Sequence, residues 1–523
     1  MKRSTRGLAL ALLLAATAQA QDSEDEELEA LLALLDEETE IATQTRLNAD
    51  YVPGVVTVLR GEDVAALGAR HVLDALALVP GIEALRDDIG NATLRVRGID
   101  YFENSGQVKV LVNGLSFARE TAGQNGSVML MPIEMVDRIE VIRGPGSEVY
   151  GDFAFAGLVN IITKEDRSLV YAQGGGGGLQ SAGFNLSHQS GESFKVNLGF
   201  SRFVADDLEA ATSTSFADEE RYFGHFNLYY NNFSLKLAAV DRSAIQSGAR
   251  NVLRPREDEG LAVEMRYRWT AGTVLEMQSW INYADNDMQN NNTLFFEGSR
   301  RELGTSANWS RGKHRFLAQA SYGRRDYESR ILPPPTPGMP PLPGQMGREL
   351  TDRDRTVASA SLQDEIELGT VTVTLGARYD WLEGIDQRVT PRVAAVWRIN
   401  DRHALKSQYT EGFRSGTAGA ENVFGRINDT LDFEVMRTAE LQYIYRRPET
   451  AFKATLYLAE VDGRHQVDPS IAPGPVTVNI GSVDSQGLEL EWWHQFGTRW
   501  RALANVSFQD TETKGSTAAM TDG

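Results

Sequence analysis

Arg143 stands at the tip of a tight turn, Arg143-Gly144-Pro145-Gly146, inside the stretch RIEVIRGPGSEVYGDFAFAGLVNIITK (138–164), where two alternating apolar runs flank it. The turn has the look of a phosphate loop, but GPGSEVYG (144–151) lacks the Lys-Ser/Thr pair that holds nucleotide phosphates, and no strand-to-helix context follows it. GFRSGTAG (412–419) sets a serine among glycines without the G-x-S-x-G spacing of a hydrolase elbow. The seven histidines are scattered, with no H-E-x-x-H or paired spacing, so no protein metal site is expected. The absence of cysteine excludes disulfides, thiolate metal sites, iron–sulfur clusters and a cysteine-linked lipid anchor. No catalytic set and no resident cofactor is expected, and the chain reads as a non-enzyme. What remains is charge: Arg97, Glu140 and Arg143 need partners wherever the fold encloses them.

The elements that must position these residues lie in a chain of 523 residues, 41% hydrophobic, with 48 Gly, 21 Phe, 16 Tyr and 8 Trp and a mean hydropathy of −0.32. That composition suits an ordinary soluble protein or equally a membrane β-barrel, whose strands alternate polar and apolar residues and never make a long greasy run. Lys2, Arg3 and Arg6, the apolar run Leu8 to Ala16 and the Ala18-Gln19-Ala20 cleavage site read as a signal peptide over 1–20. The apolar run falls short of the ~20 residues that span a bilayer. A net charge of −20 argues against nucleic acid and fits a surface-exposed or periplasm-facing bacterial protein. An acidic extension (21–50) follows, with ten acids, no base and helically spaced Leu28, Leu31, Leu32 and Leu35 in its first twenty residues.

Residues 51–166 alternate α and β signals. VVTVL (55–59) reads as a strand, followed by short helices over 62–67 and 72–79 that Gly68 and Pro80-Gly81 stop. Further strands are expected at 93–98, 108–114, 137–144 and 157–164. Beyond Arg167 the period becomes strictly two: Leu261, Val263, Met265, Tyr267 and Trp269 oppose Ala262, Glu264, Arg266 and Arg268. Such alternation recurs over some sixteen or seventeen candidate strands, with short turns (271–272, 368–370, 399–402) and long polar loops (286–299, 331–350, 414–433). Short turns on one side, long loops on the other and strand-end aromatics favour a transmembrane barrel over a sandwich. The proline-rich stretch 331–350 is expected to project as a stiff external loop.

ALALVPGI (75–82), LRVRGID (94–100), VLVNGLSF (110–117) and MVDRIEVIRGPGSEVYGDFAFAGLVNIITK (135–164) resemble, in order, the plug motifs of TonB-dependent outer-membrane receptors. YTEGFRSG (409–416), EVMRTAELQYIY (434–445) and VNIGSVDSQGLELEWW (478–493) resemble successive barrel segments of that family. The resemblance implies an α+β plug (51–166) lodged in the lumen of a membrane β-barrel (167–523) of about 22 antiparallel strands. It implies location in the outer membrane of a Gram-negative bacterium, contact with its lipid, and import of a bulky nutrient, first a siderophore-like ligand and second cobalamin. Iron would arrive only within a chelated substrate. A passive channel or adhesin barrel is the rival from another class.

Such receptors are driven by TonB and its inner-membrane energising complex, acting on a segment ahead of the plug. The best match is EETEIATQTR (37–46), with Glu38, Thr39, Glu40, Ile41, Ala42 and Thr43 expected to add as a strand to TonB. The family pattern pairs plug arginines with inward barrel glutamates, which nominates Arg97, Arg143 and Glu140 on one side and Glu434, Glu440 and Glu489 on the other. Tyr101 and Phe102, in an apical plug loop, are the substrate-contact candidates. With sixteen or seventeen strands and a polar ending, QDTETKGSTAAMTDG, about five closing strands are expected to be missing, and an open barrel would leave unpaired edges in lipid.

Overall fold

The computed structural model describes residues 38–39, 47–86, 92–99, 107–119, 123–124, 126–209, 215–248, 252–272, 274–290, 294–331, 348–417, 422–423, 426–428, 431–468, 471, 476–497 and 499–515. The expected signal peptide, the leucine-spaced acidic segment, Glu40 to Thr43, Tyr101, Phe102 and the proline-rich 332–347 lie outside them. Among the described residues no helix is long and apolar enough to cross a bilayer.

The plug is built from β1 (Val55–Arg60), α1 (Gly61–Ala66), α2 (Val72–Leu76), β2 (Ile82–Arg86), β3 (Ala92–Val96), β4 (Val108–Val112), β5 (Leu115–Ser116), β6 (Val136–Arg143), α3 (Ser147–Tyr150) and β7 (Gly157–Thr163). Its main sheet has the order β1-β6-β7-β4-β5, and β2 and β3 form a separate antiparallel hairpin. β6 and β7 pair antiparallel from Val136 opposite Thr163 to Arg143 opposite Gly157, so the two apolar runs of the opening motif are one hairpin. Helix α2 is shorter than the sequence suggests. His71 and Asp74 close a reciprocal cap at its start, and the chain leaves the helix at Ala77, before Pro80. Leu76, Val96, Val110, Ile139, Val159 and Ile161 form the plug core. Each such side chain contributes roughly 1.5–3 kcal/mol when fully buried.

From β8 (Leu169–Gly174) to β24 (Trp500–Lys514), seventeen antiparallel strands follow one another in sequence order in one sheet. The strands that carry the site are β11 (Ser215–Tyr230), β13 (Val252–Ala271), β14 (Leu275–Asn290), β15 (Leu294–Arg311), β16 (His314–Ile331), β17 (Arg348–Leu368), β18 (Val371–Leu382), β19 (Gln387–Asn400), β20 (His403–Arg414), β21 (Glu434–Arg447), β22 (Thr450–Asp462) and β23 (Ser482–Phe496). Plug residues meet strands along the whole series, from Leu130 with Arg221 of β11 to Gly81 with Ser507 of β24, so the sheet wraps the plug.

This wall is apolar outside and polar inside. Met265, Ile281, Leu303, Leu362, Leu375 and Leu456 are exposed, while Asn197, His225, Arg242, Asp258, Glu264 and Thr455 are buried. Lipid is the solvent for the outer face, so the usual burial rule is reversed. Tyr230, Trp269, Trp309, Trp397 and Phe496 stand exposed beside the short turns and mark one interfacial girdle. The expected loop 286–299 is a correction: β14 runs to Asn290 and β15 restarts at Leu294. Strands continuing above the bilayer no longer need an apolar face, so their period-two signal fades into what reads as loop.

Candidate functional site

Arg97 ends the hairpin β2–β3 and Arg143 ends β6, and both project into β21–β23 with no measurable side-chain exposure. Arg97 Nε donates to Glu489 Oε1 at 2.9 Å, and its Nη1 to Glu440 Oε1 at 2.5 Å. Arg143 Nη1 donates to Glu489 Oε2 at 2.7 Å and to the Pro80 carbonyl at 3.3 Å, while its Nη2 reaches Glu491 and Thr57 Oγ1, the latter at 3.1 Å. Glu489 therefore holds both plug arginines, Arg97 on its two oxygens, at 3.4 Å on Oε2, and Arg143 on Oε2. The Arg97 guanidinium also lies 4.1 Å from the centre of the Tyr457 ring. Burial opposes the charge on Arg97, but Glu440 and Glu489 outweigh it and hold its pKa above the ordinary value.

The glycines around the pairs are part of the geometry. Gly144 has φ +92°, and a Cβ there would lie 3.3 Å from Glu440 Oε1 and 3.5 Å from Arg97 Nη1. A side chain at the turn would thus stand between the arginine and its glutamate.

The other nominated residues are placed differently. Glu140 is joined to Arg138, two positions along its own strand, at 2.9 Å. Glu434 binds Arg414 of the neighbouring strand and accepts the His465 N–H. Both sit in charge pairs within one body rather than between plug and barrel, a correction to the expected pairing. For Glu434 the reason is register, since it lies directly opposite Arg414. Glu38 and Thr39 pair with Asn48 and Leu47, and Thr39 is fully buried. Glu40, Ile41, Ala42, Thr43, Tyr101 and Phe102 lie outside the described residues.

Several contacts escape a reading of the sequence. Glu491 lies two residues beyond Glu489 on the same strand face, which the period of two could have signalled. Asp50, just before the plug, is ion-paired with Arg446 and, at 3.1 Å, with Lys453. Lys406 Nζ donates to the Ala49 and Gly54 carbonyls at 2.7 and 3.2 Å, and Arg398 lies 5.4 Å over the Tyr51 ring. Burial pushes the Asp50 carboxyl up, but Lys453, Arg446 and Lys406 prevail and hold it well below the usual carboxylate range. On the opposite side, a cavity of about 150 Å³ lies between Lys109, Leu115 and Tyr150 of the plug and Glu264, Arg300 and Arg378 of the wall. Lys109 Nζ donates to the Tyr150 and Asp152 carbonyls at 2.7 and 3.3 Å. Burial, with Arg300 and Arg378 nearby, brings its pKa down to about 7.

A plug domain followed by a β-barrel is also what comparison with known proteins shows. Residues 48–158 match the TonB-dependent receptor plug domain, and residues 146–523 match the TonB-dependent receptor-like β-barrel. The iron-regulated outer membrane virulence protein of Vibrio cholerae is 24% identical over 444 residues, covering 75% of this chain and 63% of that protein. The vitamin B12 transporter BtuB of Vibrio vulnificus is 23% identical over 394 residues, 69% of this chain and 60% of that one. The chain thus spans about three-fifths of the length of these curated relatives. In fold it is similar to the ferric preacinetobactin receptor BauA of Acinetobacter baumannii (TM-score 0.68, 16% identity, 92% of this chain and 82% of that). It is similar also to the ferric enterobactin receptor PfeA of Pseudomonas aeruginosa (TM-score 0.69, 15% identity, 88% and 81%). The chain belongs to the TonB-dependent receptor family of outer-membrane proteins, whose members join a plug domain to a β-barrel.

Proposed function

We propose that this chain is the plug and barrel of an active importer that takes up a bulky chelated-iron nutrient, a ferric siderophore, on energy delivered through TonB. The observation that carries the reading is the set of ion pairs between Arg97 and Arg143 of the plug and Glu440, Glu489 and Glu491 of the wall. A buried ion pair of this kind is costly to form and costly to break one-sidedly, and exchanging it for apolar packing is often no loss in stability. Its use here is as a joint that holds at rest and separates when force and water enter. Nothing in that cycle changes a bond of the substrate, and iron enters only inside its chelator. Arg97, Arg143, Glu440 and Glu489 act as the joint; Glu38 to Thr43 receive TonB by strand addition; Tyr101 and Phe102 meet the ligand from the plug's apical loop.

The ferric reading is supported by relatives named as iron-regulated and by structures of ferric receptors. Cobalamin is the second reading, supported by similarity to a vitamin B12 transporter. Cells relying on this receptor are supplied with single ferric siderophores or with cobalamin, with residues 37–46 present or deleted. Uptake is expected to need those residues and the proton-motive force. Uptake that survives loss of either would make the protein a passive channel instead.

A further inference from the structure

We propose that Asp152 is a positioning residue that couples the base of the outer segment 415–433 to the apex of the plug. The importer reading gives this coupling its use, while the geometry stands apart from it. Asp152 follows α3 and is 4% exposed. Its Oδ1 accepts from the Ser415 and Phe153 backbone N–H groups, both at 2.9 Å. Its Oδ2 accepts from Ser415 Oγ at 2.5 Å and from Arg325 Nη1 of β16 at 2.7 Å. Four donors fill the lone-pair sites of one carboxylate, and three of them belong to the barrel. Burial pushes the Asp152 carboxyl up, and Arg325 and Ser415 more than reverse it.

On the barrel side Ser415 is the first residue after β20. Arg414, its neighbour, is ion-paired with Glu434, where the chain re-enters the wall, and Glu434 also accepts the N–H of His465. The two ends of 415–433 and the start of the hairpin His465–Asp468 with Val476–Asn479 thus meet one peptide away from Asp152. On the plug side the turn is held in a rarely populated shape. Phe153 has φ +69° although bulky, and Gly151 has φ +66° where a Cβ would come within 2.8 Å of Arg378 Nη2. Lys109 of β4 ties the Tyr150 and Asp152 carbonyls to the plug sheet. A shift at the base of 415–433 therefore reaches the plug sheet through a continuous run of hydrogen bonds.

The test is hydrogen–deuterium exchange on the purified receptor in detergent micelles, comparing wild type with Ser415→Ala and Asp152→Asn. Coupling is reciprocal, so each substitution is expected to speed exchange about ten-fold in the other body: 149–156 of the plug for Ser415→Ala, 431–436 of the barrel for Asp152→Asn. A purely local contact would loosen only the residues that make it, 152–153 and 415, and not the remainder of 149–156 or 431–436. Exchange in the other body staying within about two-fold of wild type for Ser415→Ala would overturn the proposal. Ser415→Ala removes one hydroxyl and decides the matter even where Asp152→Asn fails to assemble. No substrate is needed, so the outcome is independent of the uptake experiment.

Discussion

Against β21–β23 the wall supplies carboxylates and the plug supplies cations: Glu440 and Glu489 hold Arg97, and Glu489 and Glu491 hold Arg143. Around the cavity beside Lys109 the charges of β13, β15 and β18 are paired within the wall, and the charge pair that crosses to the plug in this sector is Arg325 of β16 with Asp152. Arg266 pairs with Glu264, Arg300 with Glu302 and Arg378 with Asp380, each partner two residues along the same strand face, and a cavity remains between them and the plug. Charges satisfied within one body leave the other free to slide, whereas charges satisfied between bodies fix their relation. The same residue types thus make a dense joint on one side and, around the cavity, a slip surface crossed at Asp152 on the other.

The sharpest way to break this contrast is Glu489→Ala. It strips one partner from each of two buried guanidiniums, and the expected cost is about 3–5 kcal/mol of plug retention. Plug release in urea, followed by fluorescence at an unchanged barrel melting temperature, measures it. Arg143→Ala should cost less, about 2–3 kcal/mol, because Arg97 still serves Glu489 and the partly exposed Glu491 can be hydrated. Ligand preference in a competition assay should stay as it was, and a switched preference with an equally stable plug would end the joint reading.

pH next separates the buried lysine from the two buried aspartates. Lys109 has a folded pKa of about 7 against an ordinary 10.5, so the released plug binds more protons between those values and retention rises as pH climbs through that window. Asp50 and Asp152 are shifted down, so their contribution is complete above the ordinary carboxylate value of 3.8 and is lost as pH falls through their lower folded values. Lys109→Met should abolish the alkaline rise in a retention–pH profile and spare the acid limb. The smallest effect belongs to the slip surface: removing both charges with Glu264→Gln and Arg266→Gln should alter plug retention by no more than ~0.5 kcal/mol. A loss equal to that of Arg143→Ala would erase the distinction between the walls.

The plug elements were legible because Gly and Pro punctuate them, as at Gly68 and Pro80-Gly81, and the membrane part of the wall because its outward residues alternate without a break. Arg97, Arg143, Glu440 and Glu489 could be nominated because they lie in ordered motifs. Glu434 was misassigned for want of register, since its cross-strand neighbour Arg414 is twenty residues earlier in sequence. Asp50, Lys109 and Asp152 were missed for another reason. Each acts through backbone carbonyls, backbone N–H groups or cations far along the chain, and no local spacing records such contacts.

The wall is not of even height. β13, β15, β16 and β17 contain 20, 18, 18 and 21 residues, whereas β18 to β20 contain 12, 14 and 12. A membrane strand needs only about 9–11 residues, and at ~3.3 Å per residue the longer ones have some 25–35 Å of extra ladder along their own direction. The strand ladder is therefore cut obliquely, like the bevel of a needle, highest over β13 and β15–β17 and lowest over β18–β20. The relief of the wall is thus set by strand length before any loop is added.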